Sequence, residues 1–398
     1  MKASLLFIFI TVFIDVVGFG LVIPTLPKIL QAVSGKSFED ASTIFGFMVG
    51  IYALMQFLFS PLLGSLSDKF GRRPIILLSL LGLGLDYVLL AFAPNLYWLF
   101  AGRILSGILG ASYTVATAYI ADISPVEKRA ENFGILGIAF GIGFIVGPLL
   151  GGLLGDYDLR LPFKVAAGLS LLNFLYGVFI LPESLKPENR RELDLKTANP
   201  FGSFYALFKF PKLGIYILVF FLLCLAHRGL ESNWVLYTQF KFNWDAKMVG
   251  ISLAVVGVGA AIVQGGLIGF SIKKFGENFT LFFGLFCFGT SFVLFGLAFQ
   301  TWMMLSIIVF NALGGLAEPT LQGILSRSVP DNEQGMLQGS LTSLMSVSGI
   351  IAPPILNGLF AHFIRTDVNV QIPGIAFFVC GGLTFISIVI LFLHKRSS

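Results

Sequence analysis

The sequence predicts an all-α membrane protein in which twelve transmembrane helices form two pseudo-symmetric six-helix bundles. Of the 398 residues, 56% are hydrophobic and only 12% are charged, whereas soluble proteins carry about 25% charged residues. Apolar runs of about 20 residues recur along the chain, and each can cross a hydrocarbon layer of ~30 Å. Helices are favoured because lipid requires every backbone polar group to be paired internally. The composition disfavours the alternative, a soluble all-α protein with buried helices.

The predicted spans follow one another with short polar connections. They cover approximately residues 4–26, 42–64, 75–93, 97–118, 133–153, 161–181, 213–238, 248–270, 279–298, 302–325, 337–360 and 372–393. The first run could be a signal peptide, but Asp15, Pro24 and Pro27 follow it without a small-residue cleavage site, so we interpret it as span one.

Lys and Arg residues concentrate in the loops on one side of the predicted membrane. These loops include "DKFGRR" at 68–73, "EKR" at 127–129 and the long polar stretch at 181–200. The positive-inside rule then places both termini in the cytoplasm. The net charge of +5 reflects this bias, so we expect no nucleic-acid partner.

A shift of 205 residues makes the chain partly match itself. "GSLSDKFG" at 64–71 lies over "GFSIKKFG" at 269–276, and Pro148 lies over Pro353. Parallel repeats of six spans are typical of two-bundle transporters with a site at the repeat interface. The predicted domains are an N-terminal bundle at 1–181, a cytoplasmic linker at 182–212 and a C-terminal bundle at 213–398.

Several segments resemble a known family. The loop between spans two and three, "GSLSDKFGRRP" at 64–74, resembles the signature loop of the major facilitator superfamily. "GRILSGILGASYTVATAYIAD" at 102–122 resembles its fourth-span motif, and "GIGFIVGPLLGG" at 141–152 the fifth-span motif of its antiporters. Further stretches resemble its tetracycline/cation antiporter group of drug exporters: "DVVGFGLVIPTLP" at 15–27, "YALMQFLFSPLLG" at 52–64, "GLDYVLLAFAP" at 84–94, "LPES" at 181–184 and "LQGSLTSLMS" at 337–346.

The resemblance spans nearly the whole chain and implies the major facilitator fold. It also implies proton-coupled export across a bacterial inner membrane. The chain departs from the group where the group has an acidic residue in span nine, here Phe288, and a His in span eight, near Ala260. A charged cluster in span seven and Glu318 lie outside the group's pattern, so the resemblance does not name the solute.

The signature loop carries charges suited to a gate. Asp68 ends span two and can face the positive dipole end of span eleven. Arg72 or Arg73 can pair with Asp122 at the end of span four. The family resemblance implies the same gating role, and an ordinary charged loop is the alternative.

Glycines indicate where helices approach closely. Gly64 and Gly71 allow the signature loop to turn. In span five, Gly143 and Gly147 begin a repeat of glycines at every fourth residue, which predicts backbone contact between helices. Pro148 can bend that helix. We expect this face to seal the transport path, with generic helix packing as the alternative.

Charged residues within the spans are the main functional candidates. They are Asp15, Asp86, Arg103, Arg228, Glu231 and Glu318, with titratable His227 beside them. Six unpaired charges would cost on the order of 15–20 kcal/mol at roughly 2.5–3.5 kcal/mol each. They must therefore be paired, neutralised or exposed to water. Helix rise places Arg103 within reach of either Asp15 or Asp86.

The span-seven cluster predicts a polar stripe. His227 and Glu231 are four residues apart and share a helix face with Trp234, while Arg228 and Glu231 are three apart. A local ion pair that orients span seven is the alternative. His227 favours a site because its charge can change near neutral pH.

Two functions fit these features. The first is a proton-coupled antiporter that exports a small lipophilic, cationic or zwitterionic compound. Protons from outside would reload the proton-coupling residues, which are Asp15, Asp86, His227, Glu231 and Glu318. Solute contacts are expected from Gln56, Arg103, Arg228, Asn233, Trp234 and Asn311. The second function is a proton-coupled importer or exchanger of a polar or anionic metabolite, bound by Arg103 and Arg228.

Other classes of protein are disfavoured. A receptor or assembly subunit would not need both gate loops, and we find no nucleophile-and-base arrangement for an enzyme. The pair His227-x-x-x-Glu231 has no evident third metal ligand, and Cys224, Cys287 and Cys380 are isolated in apolar runs. We therefore expect no metal or cofactor. The expected partners are a small-molecule substrate, protons and membrane lipid, with the chain acting as a monomer.

Overall fold

A computed structural model describes residues 3–110, 112–124, 129–190, 199–205, 213–330 and 333–397. All regular elements in these residues are helices, which confirms the predicted fold class. They are α1 (Ala3–Val22), α2 (Leu26–Ser34), α3 (Phe38–Phe70), α4 (Arg72–Phe92), α5 (Leu96–Leu109), α6 (Ser112–Ile123), α7 (Arg129–Tyr157), α8 (Leu161–Ile180), α9 (Pro200–Tyr205), α10 (Gly214–Phe242), α11 (Ala246–Ile262), α12 (Ile268–Leu297), α13 (Thr301–Ala312), α14 (Ala317–Arg327), α15 (Gln334–Phe363) and α16 (Ile375–Ser397).

Within the described residues, eleven helical segments are long and apolar enough to cross a membrane. One of them, Ala246–Leu297, contains 52 residues. At ~1.5 Å per residue it would be roughly 78 Å long, enough for two crossings of a ~30 Å core. Gly276 divides it, since its φ of 81° and ψ of 165° are not helical. The eleven segments therefore provide the twelve predicted crossings.

The chain forms two compact units. Unit 1 comprises Met1–Lys36, Ile51–Pro200 and Asp245–Ala254, and unit 2 comprises Ser37–Gly50, Phe201–Trp244 and Val255–Ser398. The start of α3 thus groups with unit 2 and the start of α11 with unit 1. The predicted bundle and linker boundaries stay a prediction, and residues 191–198 and 206–212 of that linker lie outside the described part of the chain.

In unit 1, glycines bring α1 and α7 together. A Cβ atom at Gly147 would lie 2.8 Å from the carbonyl oxygen of Val17 and 2.9 Å from the Cα of Gly20. A Cβ at Gly151 would overlap the backbone of Leu21. Glycine at every fourth residue of α7 therefore allows the predicted backbone contact with α1, because no side chain larger than hydrogen fits there.

In unit 2, aromatic rings form much of the core around α10. Trp234 is 4% exposed, and its ring centroid lies 5.1 Å from that of Phe295 and 6.4 Å from that of Phe377. Tyr237 is fully buried, and its hydroxyl donates to the Phe295 carbonyl at 2.6 Å. These contacts hold α10 against α12 and α16.

The internal repeat is visible in the backbone. Gly71 has φ 108° and Gly276 has φ 81°, conformations that L side chains rarely adopt. Each glycine lies at the same place in its half, at the predicted shift of 205 residues. The conserved geometry explains why glycine stands at both positions.

The two aligned prolines have matching surroundings. In unit 1, Gly250 at the start of α11 packs against the carbonyl oxygen of Pro148 in α7. In unit 2, a Cβ at Gly46 near the start of α3 would lie 2.6 Å from the carbonyl oxygen of Pro353 in α15. Each unit thus uses a glycine to admit a helix beside a proline-containing helix.

Candidate functional site

A buried ion pair lies in unit 1. Arg103 of α5 contacts Asp86 of α4 through Nη2 and Oδ2, and the two residues are 7% and 0% exposed. Helix packing creates the space, since a Cβ at Gly102 would lie 2.5 Å from Asp86 Oδ1. Asp86 is one of the two carboxylates that the sequence places within reach of Arg103.

Further polar groups surround this pair and complete what we call the unit 1 cluster: Asp15, Tyr52, Gln56, Asp86 and Arg103. The Arg103 guanidinium lies 5.7 Å from the Tyr52 ring centroid, within cation–π range. Gln56 donates to the carbonyl of Gly110 at 3.3 Å. The cluster places cationic, acidic and amide groups from four helices within one unit.

Three elements meet at buried Tyr87, next to Asp86 in α4. A Cβ at Gly18 would lie 3.3 Å from its ring, so α1 packs directly on it. Arg103, Asp86 and Asp15 all lie within electrostatic range of the Tyr87 hydroxyl. Its position therefore brings the Asp15 segment of α1 close to the buried ion pair.

The span-seven charges form a second cluster, in unit 2. Arg228 Nη1 lies 2.7 Å from Glu231 Oε2, and His227 Nε2 lies 3.4 Å from Glu231 Oε1. His227 Nδ1 faces Glu318 Oε2 of α14 at 3.9 Å. We call His227, Arg228, Glu231, Glu318 and Gln322 the unit 2 cluster. Its ion pairs within α10 have the spacing that the sequence predicts.

The charged groups of this cluster are only partly covered by protein although their helices are apolar. The side chains of His227, Glu231 and Arg228 are 46%, 47% and 38% exposed, and that of Glu318 is 26% exposed. Gln322, one turn after Glu318, donates to its Oε1 at 3.3 Å. Part of each side chain is therefore accessible to a proton or a polar ligand.

Irregular helix segments position Glu318. A 3₁₀ segment, Leu313–Leu316, ends immediately before α14, and a π-helical segment, Val263–Leu267, joins α11 to α12. A Cβ at Gly315 would lie 3.6 Å from Val263, so the two irregular segments touch. Such segments inside long helices often mark functional hinges.

Phe288 connects the irregular segments to the cluster. Its ring centroid lies 6.0 Å from that of His227. A Cβ at Gly314 would lie 2.7 Å from the Phe288 ring. At the position where the antiporter group has an acidic residue, this chain therefore has an aromatic ring that faces the His227 imidazole.

Another set of polar groups lies where α3 meets α4. Arg72 Nη1 contacts Asp68 Oδ1 at 2.5 Å, and its Nε contacts Asp122 Oδ2 at 3.0 Å. Arg72 also donates to Ser67 Oγ at 2.7 Å. Glu183 accepts from the backbone N–H of Arg72 at 2.8 Å. We call Ser67, Asp68, Arg72, Asp122 and Glu183 the unit 1 latch.

The two arginines of the signature loop differ in role. Arg72 is the partner of Asp122, whereas Arg73 Nη2 donates to the carbonyl of Val178 in α8 at 2.7 Å. Gly71 leaves room for the Glu183 carboxylate, while Gly64 has open space around it. The predicted approach of Asp68 to span eleven stays a prediction.

Unit 2 contains a copy of the Arg72–Asp122 pair with opposite charges. Glu277 and Arg327 occupy the positions shifted by 205 residues from Arg72 and Asp122, and they form an ion pair. The repeat has therefore kept the interaction between these helix ends while exchanging its signs.

The remaining predicted solute contacts do not join the unit 2 cluster. Asn311 donates to Ser291 Oγ at 2.5 Å. Asn233 is fully buried and donates to Asn357 Oδ1 at 3.1 Å, and Trp234 lies in the aromatic core. Asn233 and Trp234 therefore offer almost no surface to a solute in this structure, and the roles of all three stay predictions.

Sequence reasoning missed several members of these groups. Tyr52 precedes Gln56 by one helical turn and Gln322 follows Glu318 by one turn, so helical spacing could have identified both. Glu183 lies in the "LPES" segment, but the helix whose N-terminus it caps is over a hundred residues earlier in the chain. No local pattern predicts that contact.

Known proteins similar to this chain belong to a family of membrane transporters, in agreement with the observed fold. The family model described as Major Facilitator Superfamily matches residues 8–353 and, in a further match, 267–398. The chain is 42% identical over 358 residues to tetracycline resistance protein, class C, of Escherichia coli, which covers 90% of each chain. It is 37% identical to the class E protein of Escherichia coli, over 91% of this chain and 89% of the relative.

A solved structure extends the comparison. The crystal structure of the human organic anion transporter MFSD10 (TETRAN) matches with a TM-score of 0.72 at 22% identity, covering 98% of this chain and 99% of that one. At this identity the likeness supports the fold alone.

Proposed function

The chain belongs to the Major Facilitator Superfamily and to the family of the tetracycline resistance proteins, and we propose that it is a proton-coupled antiporter. In this proposal it exports a small lipophilic, cationic or zwitterionic compound by alternating access. The names of the relatives make a tetracycline the first solute to test.

The observation that carries the proposal is the half-exposed charged cluster inside the apolar helices of unit 2. Arg228, Glu231 and Glu318 together would cost roughly 8–10 kcal/mol in lipid. The ion pair between Arg228 and Glu231 offsets part of that cost. The proposal requires that water reaches the exposed parts of these side chains and offsets the remainder. Such ionisable groups within membrane spans mark ion or substrate pathways.

The unit 1 cluster supports a second polar region. Asp15 is half-buried, whereas Asp86 is fully buried and paired with Arg103. We assign Asp15 to proton coupling and Gln56 to solute contact. Asp86, also predicted to exchange protons, holds Arg103 in place.

The glycines of α7 and the unit 1 latch supply the gating elements of the proposal. Gly143, Gly147 and Pro148 lie on the tight α1–α7 seam or beside it. Arg72 of α4 contacts Asp68 of α3 and Asp122 of α6. Breaking these contacts lets the helix ends separate.

The contacts of the arginines weigh against import of an anionic metabolite. That function needs Arg103 and Arg228 to bind negative charge, and each already faces a carboxylate. An incoming anion would have to displace a carboxylate of the protein from the arginine, and this displacement would lower the affinity for the anion.

Flux in inside-out membrane vesicles tests the proposed function. An imposed pH gradient, acidic inside, should drive uptake of labelled tetracycline. Asp15→Asn and Glu231→Gln should each reduce gradient-driven flux, while facilitated exchange of solute without a gradient should persist. If both variants leave gradient-driven flux unchanged, the coupling assignment is wrong; flux in the opposite direction would favour import.

The protein is an integral, multi-pass membrane protein, and we place it in a bacterial inner membrane with both termini in the cytoplasm. We propose further that it acts as a monomer and catalyses no covalent reaction. Reporter fusions at each end test the orientation, and an active phosphatase fused to either terminus would contradict it.

A further inference from the structure

Four phenylalanines share one side of α12, because they have the spacing i, i+3, i+4 and i+7. We call them the phenylalanine face: Phe279, Phe282, Phe283 and Phe286. Three of the four are 36–53% exposed, and the rings of Phe279 and Phe283 stack with their centroids 5.7 Å apart. Because α12 belongs to a membrane-crossing segment, these exposed rings are suited to contact with lipid chains.

The opposite side of α12 packs against protein. Leu281, Leu285 and Phe288 are buried there, and a Cβ at Gly284 would lie 2.7 Å from the backbone nitrogen of Ala317 in α14. Packing inside unit 2 therefore uses a different side of the helix from the phenylalanine face.

Two lysines lie at one end of the phenylalanine face. Lys395 of α16 has its Nζ 5.1 Å from the centroid of the Phe282 ring. Lys274, in the part of α12 before the non-helical break, has its Nζ 5.3 Å from the Phe275 ring, and that ring lies 5.0 Å from the Phe279 ring. Both ammonium groups therefore adjoin the first turn of the phenylalanine face.

Protein carboxylates do not neutralise these lysines. Glu277, the acid closest to Lys274 in the sequence, is paired with Arg327. In the described part of the chain, neither Lys274 nor Lys395 forms an ion pair, and Lys273 adds a further exposed positive charge. In the proposed orientation this end of α12 is cytoplasmic, where clusters of basic residues attract anionic headgroups.

The length of the phenylalanine face fits one leaflet of a bilayer. Phe279 and Phe286 are separated by roughly 10 Å along the helix axis, and one leaflet of the hydrocarbon core is about 15 Å thick. An acyl chain whose phosphate lies at the lysines would therefore run along the exposed rings. A free phosphate would reach the lysines but leave the rings uncovered.

We propose that Lys274, Lys395 and the phenylalanine face bind an anionic phospholipid. The lysines hold the phosphodiester of its headgroup, and the rings contact its acyl chains. The bound lipid joins α12 to α16 and thereby stabilises unit 2. This binding site is separate from both charged clusters and does not depend on the solute or on the direction of transport.

Native mass spectrometry of the purified full-length protein tests the inference. The probes are dioleoyl phosphatidylglycerol, tetraoleoyl cardiolipin and, as a zwitterionic control, dioleoyl phosphatidylethanolamine. We expect one molecule of either anionic lipid to bind at least about tenfold more tightly than phosphatidylethanolamine, because each of the two lysines attracts the negative headgroup. Glycerol 3-phosphate, which has the phosphate without acyl chains, should not compete at equal concentration.

Substitution of the lysines locates the site. Lys274→Gln/Lys395→Gln should weaken binding of the anionic lipids about tenfold or more, to the level of phosphatidylethanolamine. The matched control is Lys69→Gln/Lys186→Gln, which removes two exposed lysines from unit 1. It also removes a cation–π contact, since Lys69 Nζ lies 5.3 Å from the Phe70 ring. This control should bind the lipids as the wild type does.

A thermal measurement tests whether the lipid stabilises unit 2. The three cysteines are buried and all lie in that unit, so their reaction with a thiol dye on heating reports its unfolding. Phosphatidylglycerol at a hundred times its Kd should raise the midpoint by roughly 5–10 °C in the wild type. It should leave the midpoint of the Lys274→Gln/Lys395→Gln variant unchanged.

Three results would overturn the inference. The first is equal affinity of the wild type for phosphatidylglycerol and phosphatidylethanolamine. The second is competition by glycerol 3-phosphate, which would show that the acyl chains contribute nothing. The third is an equal change in lipid binding by the two double variants, which would show that net charge rather than this surface attracts the lipid.

Discussion

Replacing Arg103 with Met should strongly destabilise unit 1. The substitution leaves the Asp86 carboxylate, which is 0% exposed, without its cationic partner. Removing one partner of a buried ion pair costs about 3–5 kcal/mol, whereas replacing both with apolar residues is often neutral. For a unit of this size, such a loss corresponds to a fall in Tm of roughly 6–20 °C. The double variant Asp86→Leu/Arg103→Met should recover most of it.

The assay must report on unit 1. The three cysteines are buried but all lie in unit 2, so a thiol dye would follow the wrong part of the molecule. The fraction of protein that remains monodisperse after heating is the better measure, with single and double variants compared in one cycle. A single variant whose heating midpoint lies within about 4 °C of both the wild type and the double variant would contradict this prediction, because about 1 kcal/mol corresponds to roughly 2–4 °C for a unit of this size.

Three further predictions concern helix contacts. Arg327→Glu should impair transport in vesicles, because the new carboxylate repels Glu277. The double reversal Glu277→Arg/Arg327→Glu should restore transport. The free energy of unfolding should change by less than about 1 kcal/mol in both variants, because the ion pair is largely at the surface. Gly151→Ala should lower the free energy of unfolding by about 1–3 kcal/mol through overpacking. Gly141→Ala should be tolerated, because there is open space around Gly141. Equal Tm values for the two variants would contradict the close contact between α1 and α7. Asn357→Ala should lower stability by about 1–3 kcal/mol because buried donors lose their acceptor; the thiol dye measures this in unit 2, and an unchanged midpoint would count against the hydrogen bonds.

The sequence predicts the fold well because lipid imposes simple rules on it. Apolar runs of sufficient length must become helices, and this gives the crossings to within a few residues. The repeat was also predictable, since Gly71 and Gly276 share a backbone conformation that requires glycine at both places.

Contacts between distant helices were only partly predictable. Depth along each span limited Arg103 to two carboxylates, and the structure shows its ion pair with Asp86. Similarly, spacing allowed Arg72 or Arg73 to reach Asp122, and only the structure distinguishes them. Rise per residue gives depth, whereas rotation about the helix axis depends on neighbouring side chains.

Irregular helix segments were not predicted at all. The 3₁₀ segment before Glu318 and the π-helical segment at Val263–Leu267 contact each other, and their sequences differ little from ordinary glycine-containing helix. Glu318 lies in the first turn of α14, directly after the 3₁₀ segment, and its contact with His227 joins helices that are distant in the sequence. For this reason the sequence identified both residues as candidates without showing that they meet.

In the proposed mechanism, these clusters couple outward movement of a solute to inward movement of protons. Coupling is reciprocal, so adding solute should itself move protons. In inside-out vesicles with an acidic interior and an acridine dye as pH reporter, addition of tetracycline should dissipate the pH gradient in the wild type and far less in Glu231→Gln. A wild type that transports the solute while the gradient stays constant would contradict the account.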